Sequence, residues 1–152
     1  MKKRNRICFM VGMLLLFSIF AAACGKKATL SEQGFIDTVQ DENYKVADAT
    51  STDNNQAKVW KIATGMDNTS LQYVEFDNAS AAENFFKDQA DYIQKNYDKD
   101  NTASRNAGIF TLSASGWYYY VQCVNKSVVI ATSAVSNRTD VQKLLDKIPG
   151  LD

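Results

Sequence analysis

GIFTLSASGWYYYVQCVNKSVVIATSAV, residues 108–135, decides the fold. Three apolar-rich segments, Gly108–Ala114, Trp117–Asn125 and Val128–Val135, follow one another almost without a break. Ser115-Gly116 and Asn125-Lys126-Ser127 supply the chemistry of tight turns between them. A parallel crossover needs a dozen or more residues, so connections this short make the three strands antiparallel. Alternation within the middle segment puts Trp117, Tyr119, Val121 and Cys123 on one face. Tyr118, Tyr120 and Val124 fall on the other.

Upstream, Ser80-Ala81-Ala82-Glu83 has the spacing of a capping box and opens the longest helix, about Ser80–Tyr97. Its stripe Ala82, Phe86, Ala90, Ile93, Tyr97 follows the helical repeat, with Phe85 widening the face. The polar stretch Asp98–Ala107 reads as a loop. Before the helix, Tyr44–Ala49, Ala57–Met66 and Ser70–Asp77 read as strands, the last two joined by Asp67-Asn68-Thr69. In Ser70–Asp77, Leu71 and Tyr73 point opposite to Val74 and Phe76, so both faces of that strand meet apolar neighbours. A short opening helix ends near Asn43; Thr29 and Glu32 form its capping box, with Ser31 as the alternative cap. Thr139 and Gln142 open a closing helix on which Val141, Leu144, Leu145 and Ile148 make the apolar face, and Pro149-Gly150 stops it.

The resulting order, α-β-β-β-α-β-β-β-α, predicts an α+β domain: an antiparallel sheet of about six strands with helices packed on it. Two αβββ halves make a loose internal repeat. The long and closing helices are expected on the same face of the sheet.

The first two dozen residues carry a different message. Lys2, Lys3, Arg4 and Arg6 precede an unbroken apolar run, Ile7–Ala23, which ends in Ala21-Ala22-Ala23 followed by Cys24. This segment resembles the signal peptide and lipobox of bacterial lipoproteins. The resemblance implies cleavage between Ala23 and Cys24, a diacylglyceryl group on the Cys24 thiol, and a domain at the extracytoplasmic face of the membrane. Residues 1–23 are then signal peptide, 24–28 the lipidated cysteine and a short tether, and 29–152 a single domain. An uncleaved membrane anchor and an ordinary secretory signal cut after Ala-x-Ala are the competing readings. All three put Gly25–Asp152 outside. Small α+β domains of this layout are similar to those of other small surface lipoproteins.

Residues 1–23 hold four of the 17 basic residues and none of the 17 acidic ones, so the remainder carries 13 basic residues and a net charge of −4. An acidic surface without a basic cluster argues against nucleic acid as a partner. With Cys8 removed and Cys24 blocked by lipid, Cys123 has no disulfide partner and is expected to pack as a small buried hydrophobe. Were Cys24 free, a Cys24–Cys123 bridge could form.

The chain contains no histidine, which removes Ser-His-Asp and Cys-His pairs and the commonest transition-metal ligand. No serine stands three residues before a lysine, and there is no G-x-S-x-G or phosphate-binding loop. Asp98-Lys99-Asp100-Asn101 resembles the start of a calcium loop, but Ala103 stands where glycine is needed and Ile109 where the bidentate glutamate belongs. No metal or cofactor is therefore expected. The candidate site is an aromatic platform, Trp117-Tyr118-Tyr119-Tyr120, for an envelope protein or peptide; cross-strand aromatic packing is the competing account. The expected function is non-enzymatic binding at the membrane surface. The alternatives are an envelope enzyme using carboxylates or a Ser-Lys pair, and a small-ligand carrier.

Overall fold

The computed structural model describes residues 29–51, 57–100 and 102–151. The signal-like segment, the Ala23–Cys24 cleavage point and the tether lie outside the described residues. The elements are α1 (Glu32–Asp41), β1 (Lys45–Asp48), β2 (Ala57–Thr64), β3 (Ser70–Phe76), α2 (Ala79–Tyr97), β4 (Ser104–Asn106), β5 (Ile109–Ala114), β6 (Trp117–Val124), β7 (Ser127–Ala134) and α3 (Arg138–Leu145). Seven strands form one sheet in the order β1-β2-β3-β7-β6-β5-β4, and every neighbouring pair is antiparallel. The class is α+β, as the strand pattern requires.

Two consecutive meanders build this sheet, and the last strand, β7, joins them by pairing with β3. The turns are those the sequence advertises: Ser115 and Gly116 take φ of 52° and 82°, the mirror-image geometry that matches strand twist. Asn68 and Asn125 likewise sit in the left-handed region, at φ 57° and 53°. The seventh strand, β4, occupies part of the stretch read as a loop. Its residues are polar and exposed, so no apolar alternation marks them; pairing with β5 alone makes them a strand. Arg105 of β4 donates to Asp91 of α2 at 2.7 Å and lies 5.5 Å over the Phe86 ring, which ties this edge to the helix above it.

The sheet is covered on both sides. Phe35 and Val39 of α1 and Val141, Leu144 and Leu145 of α3 pack with Leu71, Tyr73, Tyr118, Val129 and Ala131 on one face. Ala82, Phe86, Ala90 and Ile93 of α2 pack with Val74, Phe76, Phe110, Leu112, Val121, Val128 and Ile130 on the other. The two-sided reading of β3 therefore holds. The expectation that α2 and α3 share a face does not: they lie on opposite faces. The reason sits in β7, whose Val128-Val129-Ile130-Ala131 is buried on both sides and needs an apolar cover on each.

Helix starts differ slightly from the capping boxes read in sequence. Ser31 caps α1, accepting from Gly34 N at 3.2 Å. Asn78 caps α2 through its side-chain oxygen, which accepts from Ala81 N at 2.9 Å, and Ser80 lies inside the helix. α3 is entered through a 3-10 turn, Val135–Asn137, with no side-chain cap. Asn is as good an N-cap as Ser, and at position 78 its extended backbone (φ −147°) puts the side chain where the orphan N–H groups point.

A polar chain crosses the β3–β7 join. The Tyr73 hydroxyl lies 3.1 Å from Ser127 Oγ and donates to Glu75 at 2.9 Å, and Lys126 pairs with Glu75 at 2.7 Å. Burial pushes the Tyr73 hydroxyl up to about 12. The Lys126 ammonium holds the Glu75 carboxyl below its ordinary value of 4.5. Because the folded value is depressed, this stabilisation is present above pH 4.5 and is lost as pH falls through the folded value. Glu75→Gln is expected to cost roughly 1–2 kcal/mol at neutral pH and almost nothing near the acid limit. Urea unfolding of both proteins across the acid range measures it; parallel pH profiles would contradict the assignment.

Candidate binding surface and thiol cleft

Structure splits the aromatic run in two, so the four-residue platform is corrected. Tyr118 is 1% exposed: it faces α3, with the Arg138 guanidinium 5.1 Å over its ring and Gln142 Nε2 donating to its hydroxyl at 3.5 Å. Tyr120 is half-buried on the same face and donates to Gln122, whose Nε2 in turn donates to the Leu151 carbonyl at 2.8 Å. Burial raises the hydroxyl pKa of both tyrosines. These two residues are core, held by the α1 and α3 layer.

Trp117 and Tyr119 point to the α2 side, as alternation requires. There the sheet outlasts the helix, and α2 ends at Tyr97. Tyr97 stacks on Tyr119 with ring centroids 5.0 Å apart and planes 21° from parallel. Tyr92, five residues earlier on α2, meets Tyr97 edge-on at 6.5 Å and 75°. Trp117, Tyr97 and Tyr92 are 39%, 36% and 58% exposed. The result is an aromatic corner at the C-terminal end of α2, with Val135 also exposed at that end of the sheet. Trp60 and Tyr73 take no part: Trp60 packs edge-on against Phe85, and Tyr73 stacks on Phe35. Sequence reading assigned Tyr97 to the apolar stripe and missed Tyr92. Tyr92 lies off the stripe Ala82, Phe86, Ala90, Ile93, Tyr97, so helical periodicity carried no signal for its part in the corner.

At the other end of α2, an open cleft of about 430 Å³ lies between the helix and the ends of β5 and β6. Glu83, Phe86 and Lys87 form the helix wall; Gly108, Cys123 and Asn125 form the sheet wall. Ala107, also lining the cleft, holds φ 41° in the two-residue turn before β5, an uncommon backbone for a residue with a Cβ. Cys123 is half-buried, and among the described residues it is the one free cysteine. Burial, and then the nearby Glu83 carboxylate, push its thiol up. Lys126, the basic residue nearest it in sequence, is committed to Glu75. A thiol placed this way stays protonated and is a poor nucleophile.

The acidic stretch read against a calcium loop is a chain-capping device. Asp98 accepts from the backbone N–H groups of Thr102 at 2.7 Å and Ala103 at 2.9 Å. Partial desolvation works to raise its pKa, but these donors outweigh it and the net shift is downward. Among the described residues, no three His, Cys, Asp or Glu side chains group closely enough to hold a metal ion. Among them too, no helix is long and apolar enough to cross a membrane. No protein-family model, curated protein or solved structure matches the chain.

Proposed function

We propose that this chain is a bacterial lipoprotein, held by acyl chains on Cys24 at the extracytoplasmic face of the membrane, and that its α+β domain binds an envelope partner without catalysing a reaction. The observation that carries the anchor is the order of residues at the start: four basic residues, an apolar run, three alanines and a cysteine. Small side chains before the cut admit a peptidase, and the thiol is the group that alkylation requires. Two acyl chains give stable attachment where one gives only reversible binding. Binding is supported by the aromatic corner, because solvent-exposed Tyr and Trp are the residues that most often anchor protein contacts.

Cys24→Ala is expected to abolish acyl labelling and to leave the precursor uncleaved, read from metabolic labelling with a tagged fatty acid and from the mass of the product. Unchanged labelling would remove the anchor from this reading. The cleft beside Cys123 supports a second reading, carriage of a small ligand, since 430 Å³ falls within the size of small-molecule sites.

A further inference from the structure

The cleft beside Cys123 has two fixed walls. On the sheet side, Ala107 and Gly108 form the turn that joins β4 to β5, and both take positive φ, 41° and 84°. Glycine is at ease there, but alanine is strained, and strain of this kind gathers where ligands are held. The turn is pinned to β6. Cys123 N donates to the Gly108 carbonyl at 2.8 Å, and a Cβ on Gly108 would meet the Cys123 carbonyl at 3.2 Å. On the helix side Phe86 is buried, its ring under the Arg105 guanidinium that Asp91 engages.

Apolar groups and two opposite charges share the lining. Phe86, Ala79, Ala107 and the Cys123 thiol make the floor; burial and the Glu83 carboxylate keep that thiol protonated. Glu83 brings one negative charge, and Lys87, four residues on along α2, brings one positive charge. A glutamate four residues before a lysine is the favoured order for pairing along a helix. Among the described residues, however, neither side chain forms an ion pair, with the other or elsewhere.

This set of groups disfavours most ligand classes. A phosphate seeks several cationic or N–H donors and would meet a carboxylate here. A divalent cation needs more oxygen ligands, and no metal-holding group of side chains occurs among the described residues. The buried Phe86 offers no open ring face to a sugar. A wholly apolar molecule would cover Glu83 and Lys87 without answering either. One small molecule with an ammonium, a carboxylate and an apolar body answers all three parts. Residues four apart on a helix hold their Cβ atoms about 5–6 Å from each other, close enough for adjacent charges to reach both.

We propose that this cleft binds a free α-amino acid with an aliphatic side chain, its ammonium on Glu83, its carboxylate on Lys87 and its side chain over Phe86 and Cys123. The proposal rests on the small-ligand reading of the cleft and names the class of ligand.

The test uses the full chain purified in detergent micelles, with L-leucine as the probe. Isoamylamine and isocaproate, which lack its carboxylate and its ammonium respectively, are the controls. Occupancy is read as slower alkylation of Cys123, by mass at its own peptide, and affinity by equilibrium dialysis. Leucine is expected to slow alkylation and to bind about tenfold or more tightly than either control. Glu83→Gln and Lys87→Gln are each expected to weaken leucine about tenfold. Both side chains are exposed, so unfolding midpoints stay where they are and report that the variants are folded. Unchanged leucine affinity in both variants overturns the proposal. Protection by the amine or the acid equal to that by leucine overturns the amino acid but keeps a small-ligand site. No protection by any of the three overturns both readings.

Discussion

Tyr118→Ala is expected to lower stability by about 3–5 kcal/mol, because it empties a fully buried aromatic site. It also removes the ring beneath the Arg138 guanidinium and the hydroxyl that Gln142 reaches. Trp117→Ala, one residue away, is expected to cost about 1–2 kcal/mol, since that side chain is already partly in water. Urea unfolding gives the comparison directly. With a slope of about 2 kcal/mol per molar, in the middle of the usual range, Tyr118→Ala moves the midpoint by roughly 2 M and Trp117→Ala by roughly 0.5–1 M. Equal losses would mean that the two neighbours share one environment and that the aromatic run is a single packed layer.

The second large effect comes from the segment after α3. Ile148 and Leu151 are 1% and 4% exposed and pack in the core beneath α1 and α3. Between them, the Pro149 ring lies against Gly34 of α1, where an added Cβ would meet it at 3.6 Å. The Leu151 carbonyl accepts from Gln122, which Tyr120 also engages. Ending the chain at Lys147 removes two buried aliphatic side chains, each worth about 2–4 kcal/mol. The total of roughly 4–8 kcal/mol is comparable with the whole stability of a domain this size. The shortened chain is expected to be largely unfolded at 37 °C, read from near-ultraviolet circular dichroism and protease sensitivity. A cooperative transition at an unchanged midpoint would contradict the packing described for this segment.

Much of this fold was legible because its signals are local. Ser115-Gly116 and Asn125 adopt the positive φ that their residue types tolerate, and these turns fix the order of β5, β6 and β7. Alternation along Trp117–Val124 put Tyr119, Val121 and Cys123 on one face and Tyr118, Tyr120 and Val124 on the other, where the two helix layers meet them. What could not be read is what depends on distant partners. Ser104-Arg105-Asn106 has no apolar pattern and becomes a strand only because β5 offers it an edge. Val128-Val129-Ile130-Ala131 is apolar throughout, so periodicity could not say that both faces of β7 need cover, and the side taken by α3 followed from that. The aromatic corner was half visible. Trp117 and Tyr119 came from strand alternation, but Tyr92 sits off the apolar stripe of α2 and joins them only once the helix crosses the sheet.

The β3–β7 join has a consequence for how the chain comes into being. Residues 70–76 are buried on both faces, yet their partners, 127–132, come some fifty positions later. A polypeptide appearing N-terminus first completes β1, β2 and β3 and then waits, with a hydrophobic strand open along one edge, until the second meander arrives. Bare edges of this kind recruit foreign strands. The long amphipathic α2, made next, can shield one side of β3 but not its hydrogen-bonding rim. Neither half of the molecule is self-sufficient, and the domain gains its centre only with its last strand. A carrier that keeps the chain unpaired until that strand is delivered would therefore protect it at the moment of greatest risk.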